Sequence, residues 1–110
     1  MTGITANPGQ NVTLAVQVLD GYGERVDGYA PQVDFIRDPS GNNISGYPEN
    51  MVRISEGLYI STIVIPNGIN AVGTYLVSTS WNKPNTNNLN YELFIIHVAR
   101  PFGTATATPA

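Results

Sequence analysis

The chain contains no cysteine, which removes disulfide frameworks, thiolate metal sites and cysteine nucleophiles together. The fold is expected to be held by packing alone. Charge is also scarce, with five Lys+Arg against eight Asp+Glu in 110 residues, a net charge of −3 and no basic run. A surface that grips nucleic-acid phosphates needs clustered cations, so no nucleic-acid partner is expected. No stretch approaches the ~18 apolar residues of a membrane-spanning helix, and no membrane partner is expected either. The opening "MTGITANPGQ" lacks a charged head followed by an apolar segment. The expectation is a chain made in the cytoplasm, or one from which a leader has been cut. Apolar residues make up 42% and charged ones 12%, a globular balance with room for one domain.

What the sequence does have is alternation. Val12, Leu14, Val16 and Val18 alternate with Asn11, Thr13, Ala15 and Gln17, so one side of an extended segment is apolar and the other mostly polar. The turn-rich "DGYGERVDGYAP" (20–31) follows, then a strand through Val33 and Phe35 that ends at Asp38. "MVRIS" comes after a loop marked by Gly46 and Pro48. "GLYISTIVI" (57–65) is rich in β-branched and aromatic residues and stops at "PNG". "GTYLVSTSW" (73–81) and "YELFIIHVA" (91–99) complete the set, separated by the Asn-rich "NKPNTNNLN". No segment repeats apolar residues at helical spacing over three turns.

Six or seven short strands separated by turns predict an all-β chain, an immunoglobulin-like antiparallel sandwich of about seven strands over residues 1–100, with a small barrel as the alternative. Gly73-Thr74-Tyr75 stands where a tyrosine corner would place a Tyr whose hydroxyl bonds back to upstream backbone. The inward residues expected are Val12, Leu14, Val16, Val18, Val33, Phe35, Val52, Ile54, Leu58, Ile60, Tyr75, Val77, Trp81, Phe94, Ile96 and Val98. In 57–65 both faces carry large residues, so Tyr59, Ile63 and Ile65 compete for the core, and the second apolar face hints at a partner surface.

The succession "PGQNVTLAVQVLDGYGERVDG", "VDFIRDPSG", "VRISEGLYISTIVI" and "GTYLVSTSW" resembles the short Ig-like proteins encoded among bacteriophage structural genes. The shared pattern is Pro-Gly-x-x-Val opening the first main strand, a Gly-containing turn, a strand ending in Asp-Pro-Ser-Gly, a Gly-x-Tyr strand and a late Gly-x-Tyr strand ending near Trp. It spans about residues 8–98. The resemblance implies a virion component, a capsid decoration or a head–tail or tail-associated protein. Its partners would be major capsid or tail subunits and further copies of itself, with no enzymatic activity and no cofactor. Bacterial surface Ig-like modules share much of this grammar, so an adhesion or carbohydrate-binding module using Trp81 or the loop tyrosines is the alternative.

Chemistry has little to build on. His97 is the single histidine and alternates with Ile96 and Val98 in a strand, a solvent-facing position with no Cys to share a metal. There is no Gly-x-Ser-x-Gly elbow before a helix. Asp20, Asp27, Asp34, Asp38, Glu49 and Glu56 fall at strand ends and loops, where solvated charges belong. Asp20 and Asp27 are the one pair worth weighing for calcium, but the Asp-x-Asp-x-Asp-Gly loop is missing. No metal site is expected.

Interaction is better served. Gly21-Tyr22, Gly28-Tyr29 and Gly46-Tyr47 all fall in loops, where Tyr offers a large contact area with few rotamers to freeze. The competing explanation is that each ring folds down over the end of the sandwich. Residues 101–110 turn to Thr and Ala without charge, a tail too poor in apolar residues to bury itself. Phe102 is its one anchoring side chain, and an uncharged tail of this kind can add as a strand to a neighbouring subunit. Tyr22, Tyr29, Tyr47 and Phe102 are therefore the candidate contact residues.

Overall fold

The computed structural model describes residues 2–68, 71–82 and 89–99. Within them the strands are β1 (Thr2–Ala6), β2 (Asn11–Gln17), β3 (Tyr29–Arg37), β4 (Glu49–Asn50), β5 (Val52–Ser55), β6 (Leu58–Val64), β7 (Gly73–Asn82) and β8 (Leu89–Val98). One sheet runs β1-β8-β7-β3-β4 and the other β2-β6-β5. The second, third and later strands thus divide between the sheets as in an immunoglobulin-like sandwich, and that is the fold. Every pairing is antiparallel except one. β1 runs parallel to β8, with Ile4 opposite Ile96.

Burial follows the period-two pattern wherever a strand is regular. Val12, Leu14 and Val16 of β2 lie opposite Ile63, Ser61 and Tyr59 of β6 and point inward with them. From the other sheet Val33, Ile36, Tyr75, Val77, Phe94, Ile96 and Val98 meet this layer. The contest in 57–65 is thus decided for Tyr59, Ile63 and Ile65. Leu58 and Ile60 turn to the outer face and are only half-buried.

Other expected inward residues also face out, each for a local reason. Val33 pairs with Thr79 but Phe35 pairs with Ser78, so Asp34 is an extra residue bulged out of β3. Beyond it the alternation changes phase, and Ile36 takes the core position expected of Phe35. In β5 the place opposite inward Tyr59 belongs to Arg53. Its guanidinium reaches Asp27 instead of packing, and Val52 and Ile54 are left 61% and 53% exposed. Two strands carry too little pattern to be foreseen: β1, with Gly3 as its second residue, and the two-residue β4.

The tyrosine corner is present. The buried Tyr75 hydroxyl donates to the Ala71 carbonyl at 3.0 Å and ties β7 to the turn that enters it. Burial pushes this phenol's pKa up, so it remains a donor. Tyr75→Phe keeps the ring and orphans the carbonyl. The expected cost is about 1.5 kcal/mol in a urea titration, with an unchanged slope.

Candidate functional site

The loop that carries Tyr22 is closed by its own residues. The Asp20 side-chain Oδ1 accepts the N–H of Tyr22 at 2.8 Å and of Glu24 at 3.0 Å. The Asp20 N–H donates to the Glu24 carbonyl at 2.8 Å, and the Gly23 N–H to the Asp20 carbonyl at 3.2 Å. A bridge between Leu19 and Arg25 seals the base. The stretch "DPSGN" (38–42) repeats this construction bond for bond. Asp38 Oδ1 accepts from Ser40 N–H at 3.0 Å and Asn42 N–H at 2.9 Å, and the Asp38 N–H donates to the Asn42 carbonyl. The Gly41 N–H donates to the Asp38 carbonyl at 2.9 Å, and Arg37 bridges Asn43. Each is an Asp-x-x-Gly-x unit in which the carboxylate organises the backbone and the fourth residue takes a positive φ.

This twinning separates what the turn needs from what it displays. The third residue, Tyr22 in one loop and Ser40 in the other, contributes only its backbone N–H. The Tyr22 ring therefore does nothing for the turn, and it stands 95% exposed. Tyr29 is not a loop residue but the first residue of β3, opposite Asn82, where the strand begins to pair with β7, and it is 72% exposed. Tyr47 behaves otherwise. It lies in the β3–β4 connection, at the other end of β3, half-buried against the core, and its phenol pKa is pushed up by that burial and by the Glu49 charge. Tyr22 and Tyr29 are thus the exposed pair, whereas Tyr47 packs against the core. Phe102 and the tail lie outside the described residues.

Asp27 anchors the base of the Tyr22–Tyr29 connection. Its carboxylate takes the Arg53 guanidinium in bidentate fashion, Nε to Oδ1 at 3.0 Å and a second nitrogen to Oδ2 at 3.2 Å. Oδ1 also accepts the Gly57 N–H at 3.0 Å and the Tyr59 hydroxyl at 3.2 Å, while the Gly28 N–H donates to that same hydroxyl at 3.1 Å. One carboxylate thus fastens this connection to the turn between β5 and β6. The Arg53 bonds, and next the Gly57 N–H, hold the Asp27 pKa below the usual carboxylate range. A folded-state pKa lowered in this way adds stability that is complete above the unfolded value of about 3.9 and lost as pH falls through the folded one. Asp27→Asn should therefore flatten the acid side of the stability profile. Urea midpoints at about pH 7 and about pH 3 should differ less for the variant than for the parent chain.

Two outer faces carry apolar groups. On the smaller sheet Val52 lies beside Ile60, Ala15 pairs with Ile60 from the other side, and Val64 is 67% exposed. On the larger sheet Leu76 and Ile95 pair, Leu93 and Phe35 flank Ser78, and the Arg37 guanidinium sits 5.2 Å from the Phe35 ring centre. Beside them Asp34, in mid-strand rather than at a strand end, accepts from Gln32 and Ser80 at 2.7 Å each. Its charge is spent within the sheet.

The residues weighed for chemistry do not converge. His97 is exposed, with Thr74 Oγ1 at 3.4 Å. Asp20 closes its own loop and Asp27 holds Arg53; among the described residues no group of three or more metal-ligating side chains is gathered. Trp81 is half-buried against the core, lining a hollow of about 250 Å³ with Ala15, Val16, Gln17 and Glu92. A second hollow, of about 220 Å³, lies between the Asp38–Ser40 corner and Tyr75. The twin-loop motif was open to a reader of the sequence, since Asp-x-x-Gly-x occurs at both places; what hid it was that the second loop contains Pro and the first does not. No protein-family model matches the chain, and no curated protein matches it.

Proposed function

We propose that this chain is a non-enzymatic structural protein of a bacteriophage particle, a capsid decoration or head–tail-associated component that acts through repeated contacts with capsid or tail subunits. The observation that carries the reading is Tyr22. A ring that its turn does not use, held at the tip of a backbone-closed loop and 95% exposed, is a contact residue presented at little entropic cost. Tyr29 extends the same surface, and the Asp27 bonds keep the connection from moving when a partner binds. Single contacts of this size are weak. On a lattice of identical subunits they sum through avidity.

The test exchanges Tyr22 for the residue its twin loop carries at that place. Tyr22→Ser should leave stability within about 0.5 kcal/mol of the parent and cut co-sedimentation with particles at least about tenfold. Native mass spectrometry of the chain alone and with intact particles gives the baseline. Failure of the parent chain to join any particle sinks the virion reading. Glycan-array binding that disappears with Tyr22→Ser would favour the carbohydrate-binding alternative instead, although Trp81, half-buried in its hollow, does not supply that reading with an open stacking platform.

A further inference from the structure

The ends of the two sheets are not equally protected. β4 has only two residues, β5 is interrupted by a bulge and carries Arg53, and β1 contains Gly3. The first two carry devices that discourage edge-to-edge pairing, and the glycine weakens β1 as a strand. β2 shows none. It is seven residues long, pairs with β6 in unbroken register from Asn11↔Val64 to Gln17↔Leu58, and contains no Pro, Gly or charge. The first charged residue of the whole chain is Asp20. β1, the strand that could have covered this edge, pairs with β8 in the other sheet.

The hydrogen bonds at either end of β2 show which backbone groups are left over. The Ile65 N–H donates to the Gln10 carbonyl at 3.1 Å and the Val18 N–H to the Gly57 carbonyl at 2.8 Å. In an antiparallel ladder bonded pairs alternate, so residues 10, 12, 14, 16 and 18 turn their backbone to β6. Asn11, Thr13, Ala15 and Gln17 turn theirs to the open edge, where no described strand pairs with them. Their side chains all lie on the outer face and are exposed.

We propose that β2 pairs antiparallel with β2 of a second copy about a two-fold axis at Leu14, joining the two smaller sheets into one. In that register Asn11 meets Gln17 and Thr13 meets Ala15 on both sides of the axis, and each outward residue exchanges its N–H and C=O with its opposite number. The two amide side chains face each other, the two small side chains face each other, and β2 itself brings no charge to the seam. This self-complementarity commits the edge to a copy of itself, and it goes beyond the virion reading without depending on it.

Charges placed at the paired positions test the register. Thr13→Lys with Ala15→Lys sets like charges directly opposite and should weaken self-association by roughly 100-fold or more. Thr13→Lys with Ala15→Glu sets opposite charges there and should restore it, as read by sedimentation equilibrium with thermal unfolding as the check on folding. On the unaltered chain, amide exchange at Asn11, Thr13, Ala15 and Gln17 should speed up on dilution while the Arg53 amide in β5 does not respond. A dimer that survives the double-lysine change, or a chain that stays monomeric at ~1 mM, overturns the proposal. So does failure of the Lys/Glu pair to restore what the Lys/Lys pair removes, since the edge would then be pairing with another segment, such as the C-terminal tail.

Discussion

Truncating Ile36 to Ala should cost about 3 kcal/mol, whereas truncating the larger Phe35 next to it should cost only about 1 kcal/mol. The inequality follows from the bulge at Asp34. Were β3 regular from Val33 onward, Phe35 would share the core face and its loss would be the greater of the two. With one extra residue in the strand, Ile36 is the fully buried side chain, opposite Val77, while Phe35 lies half-buried on the outer face under the Arg37 guanidinium. Ile36→Ala leaves a cavity that neighbours held by two sheets cannot collapse into. Urea titrations of the two variants, read at constant slope, give the comparison directly. Equal costs, or a greater cost at Phe35, would mean that the strand is not bulged in solution.

An effect of similar size is expected at Gly57, for a different reason. It has a positive φ of 72° in the turn between β5 and β6, and an added Cβ would stand 2.8 Å from the Arg25 Cβ, 2.9 Å from the Val18 carbonyl oxygen and 2.9 Å from the Val26 nitrogen. Two of those three are backbone atoms that pair with one another, Val26 N–H donating to Val18 carbonyl at 3.0 Å. They cannot move aside without breaking that bond. The same residue donates its N–H to Asp27 and accepts from Val18, so displacing it loosens the Asp27 bonds as well. Gly57→Ala should therefore cost about 3 kcal/mol, a fall of roughly 10–20 °C in Tm. Gly41 is the control. Its φ is 89° but nothing lies within 4 Å of a Cβ there, so Gly41→Ala bears the conformational cost alone, about 1 kcal/mol.

These two positions mark where the sequence was legible and where it was not. Alternation in 12–18, 73–77 and 94–98 identifies inward residues correctly because those strands keep their phase, and Tyr75 declares its corner because it follows a turn. Phe35 misleads because a bulge is a property of a strand pair. Asp34 is displaced by its fit to β7 and its bonds to Gln32 and Ser80, neither of which has a period. Val52 and Ile54 mislead because the inward place in β5 goes to an arginine whose partner, Asp27, is 26 residues away. β1 escapes notice because its partner, β8, lies at the far end of the chain. Of the contact candidates, Tyr22 in its loop and Tyr29 at the start of β3 are both exposed. Tyr47, like Ile44 earlier in the same connection, packs against the core, which the Gly-Tyr pair alone does not reveal.

The twin Asp-x-x-Gly-x loops have a bearing on how such a surface changes over generations. Each is sealed by its first, fourth and fifth residues, so the third can be exchanged by a single codon change while the determinants of folding stay under separate selection. One loop now spends that freedom on Ser40 and the other on Tyr22. The displayed side chain of this sandwich can therefore change without the chain passing through an unstable ancestor.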